Sequence, residues 1–240
     1  MTSPTQTSTA TPATTATTQP RLAPTRTWSA VLFDLDGTIV DSASDITASL
    51  AYTFATMGLP VPDEEALRAY VGPPLLDSFR MTAGFSEADA WAALEIYREH
   101  YDRHLLNSPV FPGVAGVLQR VHQAGIPLAL ATSKPESMAR LVLEHNDLAR
   151  FFTVIAGASE DEERSTKADV VAEALRRLQA EGVDTAHAVM VGDRGYDTLG
   201  ALANGVPTVL VEWGYGSPAE AADTLAVVHS ADQLRQLLVG

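Results

Sequence analysis

Cysteine is absent from this chain of 240 residues. Without cysteine the protein can form no disulfide bond, can use no thiol in catalysis and can bind no metal through thiolates. The six histidines do not show the spacing of a metal site, and we assign them no catalytic role. Reactive groups are therefore sought among carboxylates, hydroxyls and amines.

Long apolar segments and an excess of positive charge are also absent. No apolar run approaches the roughly 20 residues that a membrane-spanning helix needs. With 16 basic and 30 acidic residues, the formal net charge is −14, which argues against binding to nucleic acid polymers or anionic membranes. The apolar content of 46% is typical of a globular protein, and the length allows one domain with an insertion.

Lysine is scarce, since Lys134 and Lys167 are the only lysines among 16 basic residues. Arginine is used wherever a general cation suffices, so the two lysines are expected where a compact ammonium group is needed. The alternative is chance in a chain that favours arginine. In so acidic a chain, a site for a phosphate anion would require local positive charge.

The N-terminal segment has low sequence complexity. Residues 1–26 are rich in threonine, proline and alanine and contain no acidic residue, which predicts a disordered tail. The segment lacks the apolar core of a secretory signal, so we expect a cytoplasmic protein. Its composition also weakly resembles an organellar transit peptide, although its prolines would interrupt an amphipathic helix.

Short apolar segments alternate with amphipathic segments after this tail. The amphipathic stretches, such as Glu136–His145 and Lys167–Gln179, predict helices. The alternation predicts a doubly wound α/β fold with a Rossmann-like parallel sheet, built from residues 27–42 and 110–240. The predicted strands are Ala30–Phe33, Pro127–Ala131, Val154–Ala156, Ala188–Val191 and Thr208–Val211.

One long gap interrupts the alternation. Residues 43–109 contain no buried-strand pattern and show helical patterns instead. An insert of about 65 residues exceeds an ordinary connection, so we expect a separate all-helical cap domain. Such a domain would lie over the carboxyl edge of the sheet, where open α/β sheets bind ligands.

Two aspartates follow the first predicted strand, in Phe33-Asp34-Leu35-Asp36-Gly37-Thr38. Side chains two positions apart on an extended strand point the same way, so Asp34 and Asp36 converge where Gly37 allows the backbone to turn. Two neighbouring carboxylates repel, and a proton or a cation must neutralise one of them. This pair costs stability and packs against nothing, which indicates chemistry.

Three further strand ends carry polar residues. Thr132-Ser133-Lys134 follows the second strand, Lys167 begins a helix after the third, and the segment Gly192–Asp197 follows the fourth. Each alone has an ordinary explanation as a helix cap, a solvated side chain or a turn. Together with the first pair, at one edge of the sheet and in this order, they indicate an active site.

This set of motifs resembles the haloacid dehalogenase superfamily of aspartate-nucleophile phosphatases, over essentially Ser29 to the C-terminus. The helical insert resembles the cap of its phosphoglycolate phosphatase-like branch. Further segments resemble its 5′-nucleotidase-like subgroup: Val71–Leu75, Ser159–Lys167 with Arg164, Gly192–Asp197, and Trp213–Ser217.

The resemblance implies hydrolysis of a phosphate ester with the help of Mg²⁺. Asp34 would attack phosphorus and form an aspartyl-phosphate, while Asp36 would protonate the leaving oxygen and then activate water. Lys167 and Thr132 would bind the phosphate. The implied metal site comprises Asp34, the backbone carbonyl of Asp36, and Asp193, with Asp197 orienting either Lys167 or a metal-bound water.

Other residues are expected at the phosphate or the substrate. Gly72 and Pro73 would form a rigid loop facing the substrate, or would simply end a helix. Arg164 would contact the substrate, or would form only a local ion pair in an acidic loop. Lys134 would approach the ligand or stay at the rim, and backbone N–H groups near Gly37 and Ser133 would complete the phosphate cradle. The predicted set is Gly37, Thr38, Gly72, Pro73, Ser133, Lys134 and Arg164.

Within the superfamily, the presence of Asp36 separates the chain from the dehalogenases, which lack an aspartate there. Residues 41–110 contain no lysine, whereas phosphonate-cleaving relatives use a cap lysine. A phosphatase of a small phosphorylated metabolite remains, acting on a nucleoside 5′-monophosphate or phosphoglycolate. Alternatives are a sugar phosphate, a natural-product intermediate, a phosphotransferase and a non-catalytic phosphate-binding protein. The protein is expected to be a monomer or a homodimer.

The substrate alternatives make different demands on the insert. A nucleotide base would need an aromatic platform, whereas a carboxylate would need a cation. The aromatic candidates are Tyr52, Phe54, Tyr70 and Phe79, and the candidate cations are Arg68, Arg80, Arg98 and Arg103.

Overall fold

The computed structural model describes Met1 and residues 28–240, so the predicted disordered tail over residues 1–26 lies almost wholly outside the described residues. Six parallel strands form one sheet in the order β3-β2-β1-β4-β5-β6. This order, in which the chain winds outward from β1 in both directions, confirms the predicted doubly wound α/β class. The strands are β1 (Ala30–Phe33), β2 (Leu128–Pro135), β3 (Val154–Ala158), β4 (Ala188–Gly192), β5 (Thr208–Val211) and β6 (Ala226–Val228).

Helices cover both faces of the sheet and fill the long gap between β1 and β2. Among the described residues, none of the helices combines the length and the apolar character needed to cross a membrane. The helices are α1 (Ala43–Thr56), α2 (Glu64–Arg68), α3 (Leu75–Met81), α4 (Glu87–Tyr101), α5 (Val114–Gln123), α6 (Glu136–His145), α7 (Lys167–Ala180), α8 (Gly195–Leu202) and α9 (Ala231–Val239).

Small side chains line the sheet face against which α7 packs. Ala30, Ala129 and Ala131 of the sheet share one buried cluster with Ala174 of α7. Because alanine projects so little, α7 can lie close to the strands, and close packing of this kind is favourable in protein interiors. The first residue of α7, Lys167, consequently reaches the strand ends and donates to the carbonyl of Ala131 at 3.3 Å.

The helical insert leaves and re-enters the sheet region at one place. The N–H of Asp41 donates to the carbonyl of Pro109 at 2.8 Å, and the N–H of Phe111 donates to the carbonyl of Ile39 at 2.9 Å. An isolated antiparallel bridge pairs Val40 with residue 110 between these bonds. The two ends of the insert therefore form a short paired stem beside the end of β1.

Within the insert, aromatic rings form an apolar cluster. The ring of Phe79 stacks on that of Phe85 with centroids 5.7 Å apart, and Phe54 lies 5.8 Å from Phe85. Tyr70 lies 6.0 Å from Phe79 at the edge of the same cluster. Edge and offset contacts of this kind are favourable for aromatic pairs, so the insert is held by its own packing.

Candidate active site

Three buried carboxylates meet at the carboxyl end of the sheet. Asp34 follows β1, Asp193 follows β4, and Asp197 lies in the first turn of α8. Because β1 and β4 are paired neighbours, the residues after them come together where the strand order reverses. One side-chain oxygen from each aspartate lies within 4.8 Å of the other two. The structure thus brings Asp34 and Asp193, the expected metal ligands, together with Asp197, which is expected to orient Lys167 or a metal-bound water.

Lys167 lies between two of these carboxylates. Its Nζ is 2.8 Å from Oδ1 of Asp34 and 2.9 Å from Oδ1 of Asp197, at ion-pair distance but without the angles of a hydrogen bond. Burial lowers the pKa of Lys167, but the charges of Asp197 and Asp34 outweigh it and leave the pKa above its ordinary value. The other oxygen of Asp197 accepts bonds from the N–H groups of Asp193 and Arg194, at 3.1 and 3.0 Å.

The charges of this cluster do not balance. Burial raises the pKa of Asp34 to about 6, while the charge of Lys167 acts against it. Burial, followed by the charges of Asp197 and Asp34, raises the pKa of Asp193 well above its ordinary value. Three carboxylates thus share one ammonium group, and a further cation would offset the remaining negative charge. A cluster of carboxylate oxygens of this kind fits Mg²⁺, which prefers hard oxygen ligands.

Thr38 and Gly37 both support Asp193. The hydroxyl of Thr38 donates to Oδ1 of Asp193 at 3.1 Å, and the N–H of Tyr215 donates to Oδ2 at 2.7 Å. Gly37 has a φ of +84°, and a Cβ there would lie 2.3 Å from Oδ2 of Asp193, so only glycine allows this approach. The N–H of Gly37 donates to the carbonyl of Val40 at 2.9 Å and is already used in the turn.

Asp36 is held by a separate set of contacts. The hydroxyl of Ser42 donates to Oδ1 of Asp36 at 2.6 Å, and Nζ of Lys134 lies 3.1 Å from each carboxylate oxygen. Nζ of Lys134 also donates to the hydroxyl of Tyr101 at 2.7 Å. Tyr101 ends α4, so this chain of contacts links the helical insert to Asp36. Neither Ser42 nor Tyr101 stands in a motif that sequence analysis could single out.

Two hydroxyl groups stand beside these charges. Thr132 and Ser133 lie in the second half of β2, which extends beyond the predicted end of that strand. The hydroxyl of Thr132 accepts a bond from the N–H of Lys134 at 3.3 Å, which leaves its own O–H available to donate. The hydroxyl of Ser133 is buried without a protein partner within residues 28–240, as expected for a group that meets a ligand.

A cavity opens between the sheet edge and the insert. Its floor carries three of the four predicted catalytic residues, whereas Lys167 lies outside the lining, 2.8 Å from Oδ1 of Asp34. Its opposite wall is mainly apolar and aromatic. The lining includes Asp34, Asp36, Thr132, Ser133 and Lys134 from the sheet side, and Ile46, Tyr70, Gly72, Pro73, Leu94, Tyr97 and Arg98 from the insert.

Of the four aromatic residues predicted as a base platform, Tyr70 lines the cavity. Phe54 and Phe79 are buried within the aromatic cluster of the insert. Tyr52 is half exposed and stacks on His100, with centroids 4.2 Å apart. The structure thus places one of these rings where it can contact a ligand.

Of the four arginines predicted as cations for a substrate carboxylate, Arg98 lines the cavity. Its Nη2 pairs with Oε1 of Glu162 at 2.5 Å, in a largely buried contact between α4 and the loop before α7. Burial raises the pKa of Glu162, and the charge of Arg98 acts against it. The others, Arg68, Arg80 and Arg103, pair with acidic residues elsewhere on the insert.

Arg164 does not belong to the lining of this cavity. Its Nε donates to the carbonyl of Gly157 at 3.2 Å, and its Nη2 lies 3.6 Å from Oε2 of Glu136. These contacts support the loop between β3 and α7. The cavity instead meets this loop at Glu162.

The doubly wound sheet with a buried carboxylate cluster at its carboxyl edge is the architecture of an α/β enzyme, and comparison with known proteins shows the family. The family model described as haloacid dehalogenase-like hydrolase matches residues 31–211. The chain belongs to this family, and it is an enzyme of the phosphatase class.

Named relatives differ in the activity that their names state. Tyrosine-protein kinase PtkA of Mycobacterium tuberculosis (strain H37Rv) is 41% identical over 87% of this chain and 72% of that protein. A 5′-nucleotidase of Pseudomonas aeruginosa is 38% identical over 87% of this chain and 94% of that protein. Phosphoglycolate phosphatase 1 of the same organism is 36% identical over 87% of this chain and 78% of that protein.

A solved structure has the same fold. It is described as a predicted phosphatase from Clostridium acetobutylicum and superposes with a TM-score of 0.83. The two chains are 37% identical, and the match covers 88% of this chain and 98% of the other.

Proposed function

We propose that this protein is a Mg²⁺-dependent phosphatase that hydrolyses small phosphate monoesters through an aspartyl-phosphate at Asp34. The observation that carries the proposal is the convergence of Asp34, Lys167 and Asp193 at the carboxyl end of the sheet, where Asp34 also lines the cavity. Mg²⁺ held by Asp34, the Asp36 carbonyl, Asp193 and Asp197 would supply positive charge that offsets the repulsion between a carboxylate and a phosphate.

In the first step, an oxygen of Asp34 bonds to phosphorus and the bond from phosphorus to the ester oxygen breaks. Lys167 and the hydroxyls of Thr132 and Ser133 bind the phosphate oxygens and stabilise their charge. Asp36 gives its proton to the departing oxygen. Lys134 and Ser42 orient the carboxyl group of Asp36 for this transfer.

In the second step, water attacks the phosphorus of the aspartyl-phosphate. Asp36 takes the proton of this water, the bond between Asp34 and phosphorus breaks, and inorganic phosphate leaves. Asp36 thereby regains the proton that it gave in the first step. Splitting the hydrolysis in this way replaces one difficult displacement by two easier ones.

We assign to the insert, residues 43–109, the role of a cap domain that shapes the leaving-group side of the cavity. The apolar lining from Ile46, Tyr70 and Leu94 supports this role. The cap would also exclude water from the phosphate during the first step. The core would then be residues 27–42 and 110–240, as the sequence predicts.

Among substrates, the cavity favours a nucleoside 5′-monophosphate over phosphoglycolate. Arg98 is the insert arginine that reaches the cavity, and its charge is already compensated by Glu162, which leaves little attraction for a second carboxylate. Tyr70 and the apolar wall offer surface for a base. The 5′-nucleotidase relative supports the same choice, and sugar phosphates remain the alternative.

Transfer of the phosphoryl group to a protein hydroxyl is the second candidate, and the relative named as a tyrosine kinase supports it. An aspartyl-phosphate at Asp34 would then be attacked by a hydroxyl instead of water. Analysis of the products separates the two activities, because hydrolysis releases one inorganic phosphate for each ester consumed. A deficit of free phosphate matched by phosphorylated protein would favour transfer.

The replacement Asp34→Asn tests the mechanism. We expect it to lower turnover of p-nitrophenyl phosphate with Mg²⁺ by at least about 1,000-fold, because the nucleophile is lost. The matched control Asp232→Asn, on the exposed side of α9, should keep full activity. Retained turnover in Asp34→Asn with a native melting temperature would refute the proposal. A screen of nucleotides, phosphoglycolate and sugar phosphates for phosphate release then ranks the substrates.

A further inference from the structure

Three segments of the chain meet at the side chain of Arg194, a residue to which the proposed chemistry gives no role. They are the Val71–Leu75 segment of the insert, the Gly192–Asp197 segment that contains Arg194, and the turn that follows Trp213–Ser217. The Nη1 of Arg194 donates to the carbonyl of Val71, across the boundary between sheet and insert. Its Nε donates to Oε2 of Glu220 at 3.0 Å, in the turn after Ser217.

Glu220 holds this guanidinium group in place. The same Oε2 of Glu220 accepts the N–H of Gly195 at 2.7 Å, and Oε1 accepts the N–H of Ser217 at 3.0 Å. The side chains of Arg194 and Glu220 are only 13% and 25% exposed, so this ion pair is less screened by solvent than one at the surface. Three fixed hydrogen bonds on one carboxylate therefore give Arg194 a defined direction toward Val71.

The backbone at Gly72 lies directly on Arg194. Gly72 has a φ of +112°, which favours glycine, and a Cβ there would lie 3.2 Å from Cγ of Arg194 and 3.9 Å from Cδ2 of Tyr196. Gly72 and Pro73 also line the cavity. One face of this segment thus contacts Arg194 while another faces the ligand space.

We propose that Arg194 is a positioning residue that sets substrate specificity by holding the Val71–Pro73 segment against the cavity. This inference rests on the proposed phosphatase function. A planar guanidinium group can donate to a carboxylate and a carbonyl in two fixed directions at once, which the single ammonium group of a lysine does not reproduce. Arg194 therefore acts on the leaving-group side of the substrate, whereas its neighbour Asp193 acts at the metal.

Kinetics of Arg194→Ala and Arg194→Lys test this role with two probes. p-Nitrophenyl phosphate occupies both sides of the cavity, whereas inorganic phosphate, as a competitive inhibitor, occupies only the phosphate side. We expect the KM for the ester to rise about tenfold in both variants, because the hydrogen bond from Arg194 to the carbonyl of Val71 is lost or weakened. The inhibition constant of phosphate and the Mg²⁺ concentration for half-maximal activity should stay within about twofold. The control Arg235→Ala on α9 should change none of these values.

Other outcomes overturn the inference. If the constants for ester, phosphate and Mg²⁺ all rise together, Arg194 serves the metal or phosphate site. If none changes, the contact with Val71 has no role in specificity. Wild-type kinetics in Arg194→Lys would show that a positive charge alone suffices. This outcome would also refute the proposed role of Arg194 in holding the Val71–Pro73 segment.

Hydrogen exchange gives a reading that needs no turnover. We expect amides of residues 69–75 to exchange faster in Arg194→Ala, while amides of β1 and β4 keep their protection. Unchanged exchange in residues 69–75 would refute the claim that Arg194 holds this segment, even if the protein proved not to be a phosphatase. Activity in Asp34→Asn would instead refute the proposed function and leave this exchange result standing.

Discussion

At the scale of single residues, the decisive feature is that one ammonium group serves two buried carboxylates. Lys167 is 5% exposed and lies within 2.9 Å of both Asp34 and Asp197. Burying charges is unfavourable unless they are paired, so each carboxylate depends on this lysine. Lys167 therefore contributes to folding as well as to phosphate binding.

Replacement of Lys167 by methionine should show both contributions. With Mg²⁺ removed by EDTA, we expect the free energy of unfolding in urea to fall by about 3 kcal/mol, because two buried carboxylates lose their partner. Activity should be lost as well. The control Arg176→Met, on the exposed side of the same helix, should change stability by less than about 0.5 kcal/mol. Equal stability of the two variants would contradict this account.

The sequence predicts the residues at strand ends because a local rule places them. Asp34, Thr132 and Asp193 each follow directly after an apolar segment, Lys167 begins the helix after the third strand, and parallel strands bring such ends together. Ser42, Tyr101, Glu162 and Glu220 follow no such rule. Their contacts arise only when the insert and the loops pack on the sheet, so no pattern along the chain reveals them.

At the scale of elements, α4 connects the insert with the acid–base residue. Its last residue, Tyr101, is 1% exposed and bonds to Lys134, which in turn holds Asp36. The ammonium group of Lys134 also lies 4.5 Å from the centroid of the Tyr101 ring, a favourable cation–π distance. A shift of α4 would therefore move Lys134 and, through it, alter the position of the Asp36 carboxyl group.

The replacement Tyr101→Phe removes the hydroxyl and keeps the ring. We expect kcat for p-nitrophenyl phosphate to fall about fivefold to tenfold with little change in melting temperature, because Lys134 loses one of its partners and holds Asp36 less firmly. Tyr52→Phe, which removes a half-exposed hydroxyl on α1, is the matched control. An unchanged kcat in Tyr101→Phe would show that Lys134 needs no support from α4.

Predicted and observed elements differ where strands are short or polar. β1 and β5 have the predicted bounds, because both are continuous apolar runs. β2 continues to Pro135, four residues beyond the predicted end, because Pro135 pairs with Ala158 of β3 after a register shift. β6 has three residues at the sheet edge, too few for a periodic signal, and was not predicted.

At the scale of the whole molecule, an acidic chain concentrates its buried negative charge at one point. The three aspartates at the end of the sheet lower the stability of the fold by mutual repulsion, which a bound cation would remove. Binding of Mg²⁺ and folding are then linked, since the ion binds the folded site and has no such site in the unfolded chain.

Mg²⁺ should accordingly stabilise the protein. At a concentration about 100 times its dissociation constant, we expect a gain of about 2.7 kcal/mol, seen as a melting temperature several degrees higher than in EDTA. Sodium chloride at equal ionic strength serves as the control for screening. Asp193→Asn should remove most of the increase. If Mg²⁺ raised the melting temperature of Asp193→Asn as much as that of the wild type, the ion would bind at a site other than the aspartate cluster.

The short paired stem formed by the two ends of the insert bears on how enzymes of this family could evolve new specificities. Because Asp41 and Pro109 are hydrogen-bonded neighbours, the chain enters and leaves residues 43–109 at almost the same point. A different segment with equally close ends could be exchanged there without changing the order of the strands. Under the proposed function, new substrates could then arise by replacement of one module, while the reaction itself is inherited with the sheet.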